Sequence, residues 1–281
     1  MKMELPKNPP KSPVKRAKPK AGQAQLFFKG LPEDVRFKSH SIPESMERAK
    51  GTLYETWFNA LQLSPYYQRI CETNEFPSEQ AEKTFHLFGD LSNTTFEKWW
   101  VATGYGIFAE NKPFNRVSVN NEKDATGEDV PILRLEIPLN VSPKTLRNQF
   151  DDLLELHHPH YKDFDRWKAS TADVRFENKK LTSASLDLYL EIYKEYLANG
   201  NDLGLYELGV QKRVNPKLVV LPSDRPKEAA DKRVKMANAV SEYIEKAKNL
   251  VAYATEGIFP CVENHHWIER KTRNVSKYDD E

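Results

Sequence analysis

A seam of apolar side chains near the carboxyl end constrains the fold of this chain more than any other feature. Between Lys232 and Glu256, small and branched apolar residues recur at alternating steps of three and four: Ala237, Val240, Ile244, Ala247, Val251 and Ala254. This spacing predicts one long α-helix with a narrow apolar face, ended by Gly257. The face must be covered, either by other helices of the chain, which is the interpretation we prefer, or by a second copy through a dimer seam at Ala237, Val240, Ile244, Ala247 and Val251.

The segment 44–108 predicts several shorter helices that are rich in aromatic side chains. Apolar residues in 44–61 recur at helical spacing, and Ser41 with Glu44 offers a capping box. A second capping box, Thr94 with Glu97, precedes a helix that extends through Phe108 and whose face carries Phe96, Trp99, Trp100, Thr103 and Ile107. Aromatic residues at helical spacing are usually core residues, so we interpret them as a core. The alternative is a solvent-facing surface on which bases stack, formed by Trp99, Trp100 or Tyr105.

The middle of the chain changes from helical to β-type patterning. Residues 116–119 and 131–137 are short and β-prone, and the second run alternates apolar with charged side chains. We expect a small antiparallel ribbon there, ended by Pro138. Ser142 followed by Pro143 then begins a helix, which should turn its apolar residues inward: Leu146, Phe150, Leu153 and Leu154.

Together these patterns predict a mainly α (α+β) fold, with a multi-helix body, a small central antiparallel β-ribbon and a disordered basic N-terminal arm. The predicted divisions are the arm (1–40), an aromatic-rich helical module (41–115), the ribbon plus a helix (116–180), a C-terminal helical bundle (181–262) and a polar tail (263–281).

The formal charge of +1 conceals an uneven distribution. Residues 1–20 contain seven basic side chains, one acidic side chain and five prolines, a net charge of +6, so the rest of the chain carries −5. Frequent proline prevents helix formation and predicts an extended arm. Such an arm either aids solubility or follows a phosphate backbone, and the candidate phosphate contacts are Lys15, Arg16, Lys18 and Lys20.

The helix that begins at Ser142 is the best candidate for a folded nucleic-acid contact. Its start, residues 141–147, resembles the beginning of the second helix of a helix-turn-helix, with Lys144, Arg147 and Asn148 on the outer face. The preceding residues do not resemble a first helix, and the acids of the following turn would repel phosphate. An ordinary capped surface helix is therefore the alternative.

Motifs of catalysis are scarce, and we expect no catalytic residue, no cofactor and no metal. Six potential metal ligands could meet only if two distant segments approach each other: His157, His158 and His160 with Cys261, His265 and His266. Neither a phosphate loop nor a nucleophile elbow is present. Only two cysteines occur, and no apolar run approaches the roughly 20 residues that span a bilayer. The composition is that of a cytoplasmic protein without a membrane partner.

Two groups of residues carry a resemblance to known sequences. The first is the aromatic block: Tyr54, Trp57, Phe58, Leu61, Ser64, Pro65, Tyr66, Tyr67, Phe88, Gly89, Asp90, Phe96, Trp99, Trp100, Ile107, Phe108, Ala109 and Glu110. The second comprises residues 137–140 and 257–260. Together they resemble an uncharacterised bacterial family associated with phages and integrated mobile elements. The resemblance implies a DNA-transaction or defence context and no particular activity.

The function expected from the sequence is a non-enzymatic DNA-binding or DNA-associated accessory protein of a bacterial mobile element or phage. The alternative is a protein-interaction or scaffold module without nucleic-acid binding. An enzyme of a type that the motifs do not reveal is the third interpretation.

Overall fold

The computed structural model describes residues 26–32, 38–110, 135–138, 140–158, 160–165, 167–177, 181–199 and 203–268. Its helices are α1 (Ile42–Ala49), α2 (Leu53–Leu63), α3 (Pro65–Thr73), α4 (Glu79–Phe88), α5 (Phe96–Trp99), α6 (Tyr105–Ile107), α7 (Pro143–His157), α8 (Ser183–Asn199), α9 (Leu205–Gln211) and α10 (Pro226–Thr255). A π-helical turn, Trp100–Gly104, joins α5 to α6, and a 3₁₀ turn, Pro216–Leu218, lies between α9 and α10. The mainly helical character expected from the sequence is confirmed.

Hydroxyl side chains begin many of these helices, because the first backbone amides of a helix lack partners within it. The Ser41 amide donates to Glu44 Oε2 (3.0 Å), as in the predicted capping box. Ser64 Oγ accepts from the Tyr67 amide (3.3 Å) at the start of α3. At α5 the predicted cap is one residue out of place: Thr95, not Thr94, accepts from the Lys98 amide. Thr94 and Thr95 each carry a hydroxyl group that can cap a helix, so the sequence pattern alone does not show which of them is the cap.

The seam of α10 lies inside the chain. Val240, Ala247 and Ala254 are fully buried, and Ile244 and Val251 nearly so. Helices α8, α9 and α2 pack against α10 and cover this face. Gly209 lets α9 approach closely, since a Cβ there would lie 2.6 Å from Met236 Cγ. From Val240 to Ala254 the seam is thus occupied as the bundle interpretation requires, whereas Ala237 at its start is half-buried.

The aromatic block forms the centre of the same core. Trp57, Trp99, Trp100 and Tyr105 are all at most 4% exposed, so the base-stacking alternative is wrong. Trp57 stacks on Phe259, with ring centroids 5.0 Å apart. One cluster of buried residues contains this block together with the apolar faces of α8 and α10. The predicted N-terminal module and C-terminal bundle therefore share one core.

Two expectations about the less regular segments need correction. In the predicted β-ribbon, residues 135–138 are exposed and form no strand, and 116–119 and 131–134 lie outside the described residues. The regular alternation of Leu135 and Ile137 is insufficient, because a strand needs a paired neighbour. The predicted arm is also too long: Phe28 and Leu31 are buried, and Leu26 pairs with His40 through two backbone hydrogen bonds of 3.1 and 2.9 Å.

Candidate functional site

A partly buried polar network joins the end of α10 to the start of α4. Glu256 accepts from Ser78 Oγ (2.8 Å) at Oε1, and its Oε2 lies 2.9 Å from His265 Nε2. His265 Nδ1 in turn accepts from the Trp267 amide (3.1 Å). Because Nδ1 accepts, the ring proton lies on Nε2 and is donated to Glu256. The network thereby fixes the chain after α10 against α4.

This network resembles neither a hydrolase triad nor a fitting metal site. Ser78 contacts the carboxylate of Glu256 rather than the imidazole of His265, so the serine–histidine contact of a hydrolase triad is missing here. Glu256, His265 and His266 bring potential ligand atoms within 4.8 Å of one another. A metal on His265 Nε2 would force the ring proton onto Nδ1, where the Trp267 amide already donates. The described geometry therefore favours a structural role.

The two histidine groups singled out in the sequence do not meet among the described residues. The cluster around Glu256 contains His265 and His266 but none of His157, His158 or His160. Those three side chains are exposed at and after the end of α7. Burial raises the pKa of the Cys261 thiol. That thiol is therefore less available as the thiolate that binds metals.

A cleft of about 800 Å³ lies between α2, α3 and α8. It is lined by four acidic residues, Glu55, Glu72, Asp187 and Glu191, together with Cys71 and Lys194. Burial raises the pKa of Asp187, although a hydrogen bond with Thr56 opposes the shift. Burial also raises the pKa of the Cys71 thiol, which disfavours the nucleophilic thiolate. The cleft offers negative charge but no nucleophile activated by a neighbouring base.

The predicted nucleic-acid helix, α7, is a capped helix whose side chains remain largely in solvent. Ser142 Oγ accepts from the Thr145 amide (3.2 Å), as the Ser-Pro start predicts. Lys144, Arg147 and Asn148 are exposed, and they form no ion pair within the described part of the chain. Residues 135–138 before it are not helical, so the described segments contain no helix-turn-helix at this position.

The expected inward packing of α7 is wrong. No residue of this helix is buried, and Phe150 is 38% exposed. Leu146, Leu153 and Leu154 are half-buried, yet none of them joins the core or packs against it. The spacing correctly indicated an apolar face, but spacing alone does not show which part of the structure packs against that face. The other predicted contacts, Lys15, Arg16, Lys18 and Lys20, lie outside the described residues.

A basic surface that the sequence reasoning missed lies at one end of the helical bundle. Residues 212–235 contain eight basic and three acidic side chains. The three acids are all engaged: Asp224 and Glu228 with Lys232, and Asp231 with Lys235. Five exposed cations in this segment have no carboxylate partner among the described residues: Arg213, Lys217, Arg225, Lys227 and Arg233. We call these five residues the α9–α10 basic surface.

Local contacts order the segment that carries these cations. After α9 the chain turns through Arg213, which has a left-handed φ of 53°, and the Val214 amide donates to the Gly209 carbonyl (3.0 Å). Tyr206 anchors the turn: its hydroxyl accepts from the Val220 amide (2.9 Å), and Arg233 lies 5.4 Å from its ring centroid. A count of charges along 212–235 would have indicated the surface, but not which cations are unpaired.

Asp224 keeps the loop before α10 in place. Its carboxylate accepts from Lys232 Nζ (2.8 Å) and from the Leu221 amide (2.7 Å). Its hydrogen bond with Lys232, followed by the one with the Leu221 backbone, holds the pKa of Asp224 below its ordinary value. The cations on either side of this loop are thus presented from an ordered turn.

Comparisons with family models, curated proteins and solved structures give no match to this chain. Among the described helices, none is both long enough and apolar enough to cross a membrane. The functional interpretation therefore rests on the sequence and on the geometry of the chain itself.

Proposed function

We propose that this protein is a non-enzymatic DNA-binding accessory protein whose folded contact with phosphates is the α9–α10 basic surface. The observation that carries the proposal is the set of five exposed cations without carboxylate partners in a body of net negative charge. Unpaired lysine and arginine side chains can neutralise phosphates without first breaking an ion pair, and counterion release then favours binding. The basic arm would add contacts with the same chemistry.

The start of α10 adds to the positive potential of this surface. Pro226 occupies the first turn, and Arg225 at the N-cap supplies no side-chain acceptor for the free amides. The positive end of a 30-residue helix thus lies among the cations. The proposed contacts are made by arginine and lysine side chains to phosphates and not to base edges. They therefore predict affinity for the phosphate backbone rather than for one DNA sequence. The phage or mobile-element context is supported only by the resemblance that the aromatic block and residues 137–140 and 257–260 carry.

The test is binding of a fluorescent DNA duplex, measured by anisotropy across a salt series beginning near 50 mM. The triple variant Lys217→Gln, Arg225→Gln, Lys227→Gln should bind more weakly, with a salt slope smaller by about 2 to 3, since each lost phosphate contact removes about 0.9. A matched control, Arg69→Gln, Lys83→Gln, Lys98→Gln, removes equal charge from exposed positions on α3, α4 and α5. Equal loss in both triple variants, or no binding by the unaltered protein, would refute the proposal.

The alternative function, a protein-interaction module, is favoured by one observation about the apolar face of α7: none of its side chains is buried, and within the described part of the chain none packs against the core. That face and the α9–α10 basic surface involve different residues. A protein that binds no DNA, but that loses an association when α7 is altered, would establish the alternative.

A further inference from the structure

We infer that the cleft between α2, α3 and α8 is a docking site for the basic N-terminal arm of the same chain, residues 1–20. The cleft measures about 800 Å³, which is the size of a binding site rather than of a packing defect. Its floor is apolar: Leu61, Tyr67 and Leu91 line it and are at most 1% exposed. The arm itself lies outside the described residues, so the support comes from the cleft and from the sequence of the arm.

The walls of the cleft carry an excess of negative charge. Four carboxylates and one ammonium group line it, a net charge of −3: Glu55, Glu72, Asp187 and Glu191 with Lys194. Among the described residues, only Glu191 of these acids has a cation partner. That partner, Lys212, lies 3.7 Å from Glu191 and closer to Glu195, at 3.2 Å. A cationic occupant would therefore meet carboxylates that the described body does not neutralise.

Asp187 is the carboxylate that most needs such an occupant. Burial raises the pKa of its carboxyl, and the negative charges of Glu55 and Glu191 raise it further, against a hydrogen bond with Thr56. These three acids belong to α2 and α8, whereas Glu72 belongs to α3, so negative charge lines more than one wall. An occupant with several cations on an extended backbone fits this distribution better than a single ion.

The arm has the matching chemistry. Pro13 and Val14 are apolar, and four cations follow within the next six residues: Lys15, Arg16, Lys18 and Lys20. Lysine and arginine can lay their aliphatic stems on an apolar floor while their charged ends reach carboxylates. Extended proline-containing segments also bind grooves at a low entropic cost, because their backbone is already restricted.

The connection between arm and body permits this contact. The described chain begins at Leu26, and the Gly30 amide donates to the Tyr54 hydroxyl (2.7 Å), next to Glu55 in the sequence of α2. An extended segment of 20 residues spans about 60 Å, more than the roughly 45 Å of α10. A tether of this kind gives an effective concentration of the order of millimolar, so weak contacts suffice. Arm cations held in the cleft are not available to phosphates, a regulatory consequence that rests on the proposed function, whereas the docking does not.

The two cysteines of the chain allow a test on the full-length protein. Cys71 lines the cleft and Cys261 does not, and both are half-buried. Alkylation with iodoacetamide at about pH 8.5, near the ordinary pKa of a thiol, followed by mass spectrometry gives the ratio of the two rates. The combined variant Lys15→Gln, Arg16→Gln, Lys18→Gln, Lys20→Gln should raise the rate at Cys71 relative to Cys261 about twofold or more, because a contact occupied half of the time protects for half of the time.

Two further variants connect this effect to the arm and to the cleft. The matched control removes four exposed cations outside the cleft and should leave the ratio unchanged: Lys83→Gln, Lys98→Gln, Lys168→Gln, Lys235→Gln. Glu72→Gln with Glu191→Gln should speed alkylation of Cys71 more in the chain with its arm cations than in the chain without them. Loss of these acids changes the thiol equally in both chains, so the difference between them reports the arm. Circular dichroism verifies that each variant retains its helices.

Equal ratios in the unaltered protein and in the arm variant would overturn the inference. Protection of Cys71 that grows with protein concentration would also overturn it, since the arm of a second copy would then be the occupant. If the arm variant changes nothing but added spermine slows alkylation of Cys71, the cleft binds a free polyamine instead. The alkylation contains no DNA, so a failure of docking and a failure of DNA binding are separate results.

Discussion

At the scale of single residues, the core contains large aromatic side chains whose buried N–H and O–H groups need hydrogen-bond acceptors. Trp99 Nε1 donates to the Phe88 carbonyl (2.9 Å), Trp100 Nε1 to Ser45 Oγ (3.0 Å) and Tyr105 to the His40 carbonyl (3.0 Å). The sequence predicted that these side chains are buried, because they lie at helical spacing. It did not predict the partners, since Ser45 and His40 lie far from them along the chain. Pairing of this kind limits how each indole can sit in the core.

The contact between Trp100 and Ser45 allows a residue-scale prediction. Both residues are fully buried, and Ser45 Oγ also donates to the Ile42 carbonyl (2.8 Å). Ser45→Ala leaves a buried indole N–H without an acceptor and should reduce the free energy of unfolding by roughly 1–3 kcal/mol. Once Trp100→Phe has removed that N–H, the same serine change should cost about 1 kcal/mol less. Urea unfolding of the two single variants and the double variant measures the difference, and strictly additive losses would contradict it.

At the scale of elements, helical periodicity predicted which helices exist more reliably than it predicted what each helix packs against. The seam of α10 was identified correctly, because a long repeat defines both a helix and its buried face. For α7 the same reasoning gave the start and an apolar face, but no side chain on that face is buried. The turn from Trp100 to Gly104 is π-helical, which no sequence period indicated. Such a turn inserts a residue into the helix, so its register depends on the side chains around it.

Two glycines near this turn give the element-scale prediction. A Cβ on Gly104 would lie 2.7 Å from Trp99 Cζ3 and 2.9 Å from Trp100 Cε3, whereas a Cβ on Gly106 would meet nothing within 4 Å. Gly104→Ala should therefore destabilise the fold by roughly 1–3 kcal/mol, because buried indole rings would have to move. Gly106→Ala is the matched control and should be neutral or stabilising by up to about 1 kcal/mol. Thermal unfolding compares the two variants. Equal unfolding temperatures would contradict the prediction, because they would show that the indole rings can move without loss of stability.

At the scale of the whole molecule, the net charge of +1 is a poor guide to electrostatics. The sequence revealed the contrast between the arm and the body, because the basic residues of the arm are contiguous. It did not reveal the α9–α10 basic surface, because unpaired cations are distinguished from paired ones only by folding. Lys232 and Arg233 are neighbours, yet Lys232 contacts two carboxylates and Arg233 lies over the Tyr206 ring. Local charge density therefore depends on which carboxylates fold towards each cation.

The shared core predicts that the described helices unfold as one cooperative unit rather than as separate modules. Trp57 of α2 donates to the Ala254 carbonyl of α10 (3.4 Å), and Ser64 is hydrogen-bonded to Thr255 (2.8 Å). Val240→Ala, in the fully buried seam of α10, should lower the free energy of unfolding by roughly 1–3 kcal/mol.

Two probes measure this loss of stability. Tryptophan fluorescence reports on Trp57, Trp99 and Trp100 in the N-terminal half, and far-UV circular dichroism reports on the helices. Both transitions should shift to the same lower denaturant concentration. Val234→Ala on the same helix is the control, since Val234 is 58% exposed, and it should change neither transition. If Val240→Ala shifted the dichroism transition but left the fluorescence transition unchanged, the indoles and the α10 bundle would belong to independent units. Coincident shifts are expected, because a cavity beside α10 weakens the same core that holds the indoles in place.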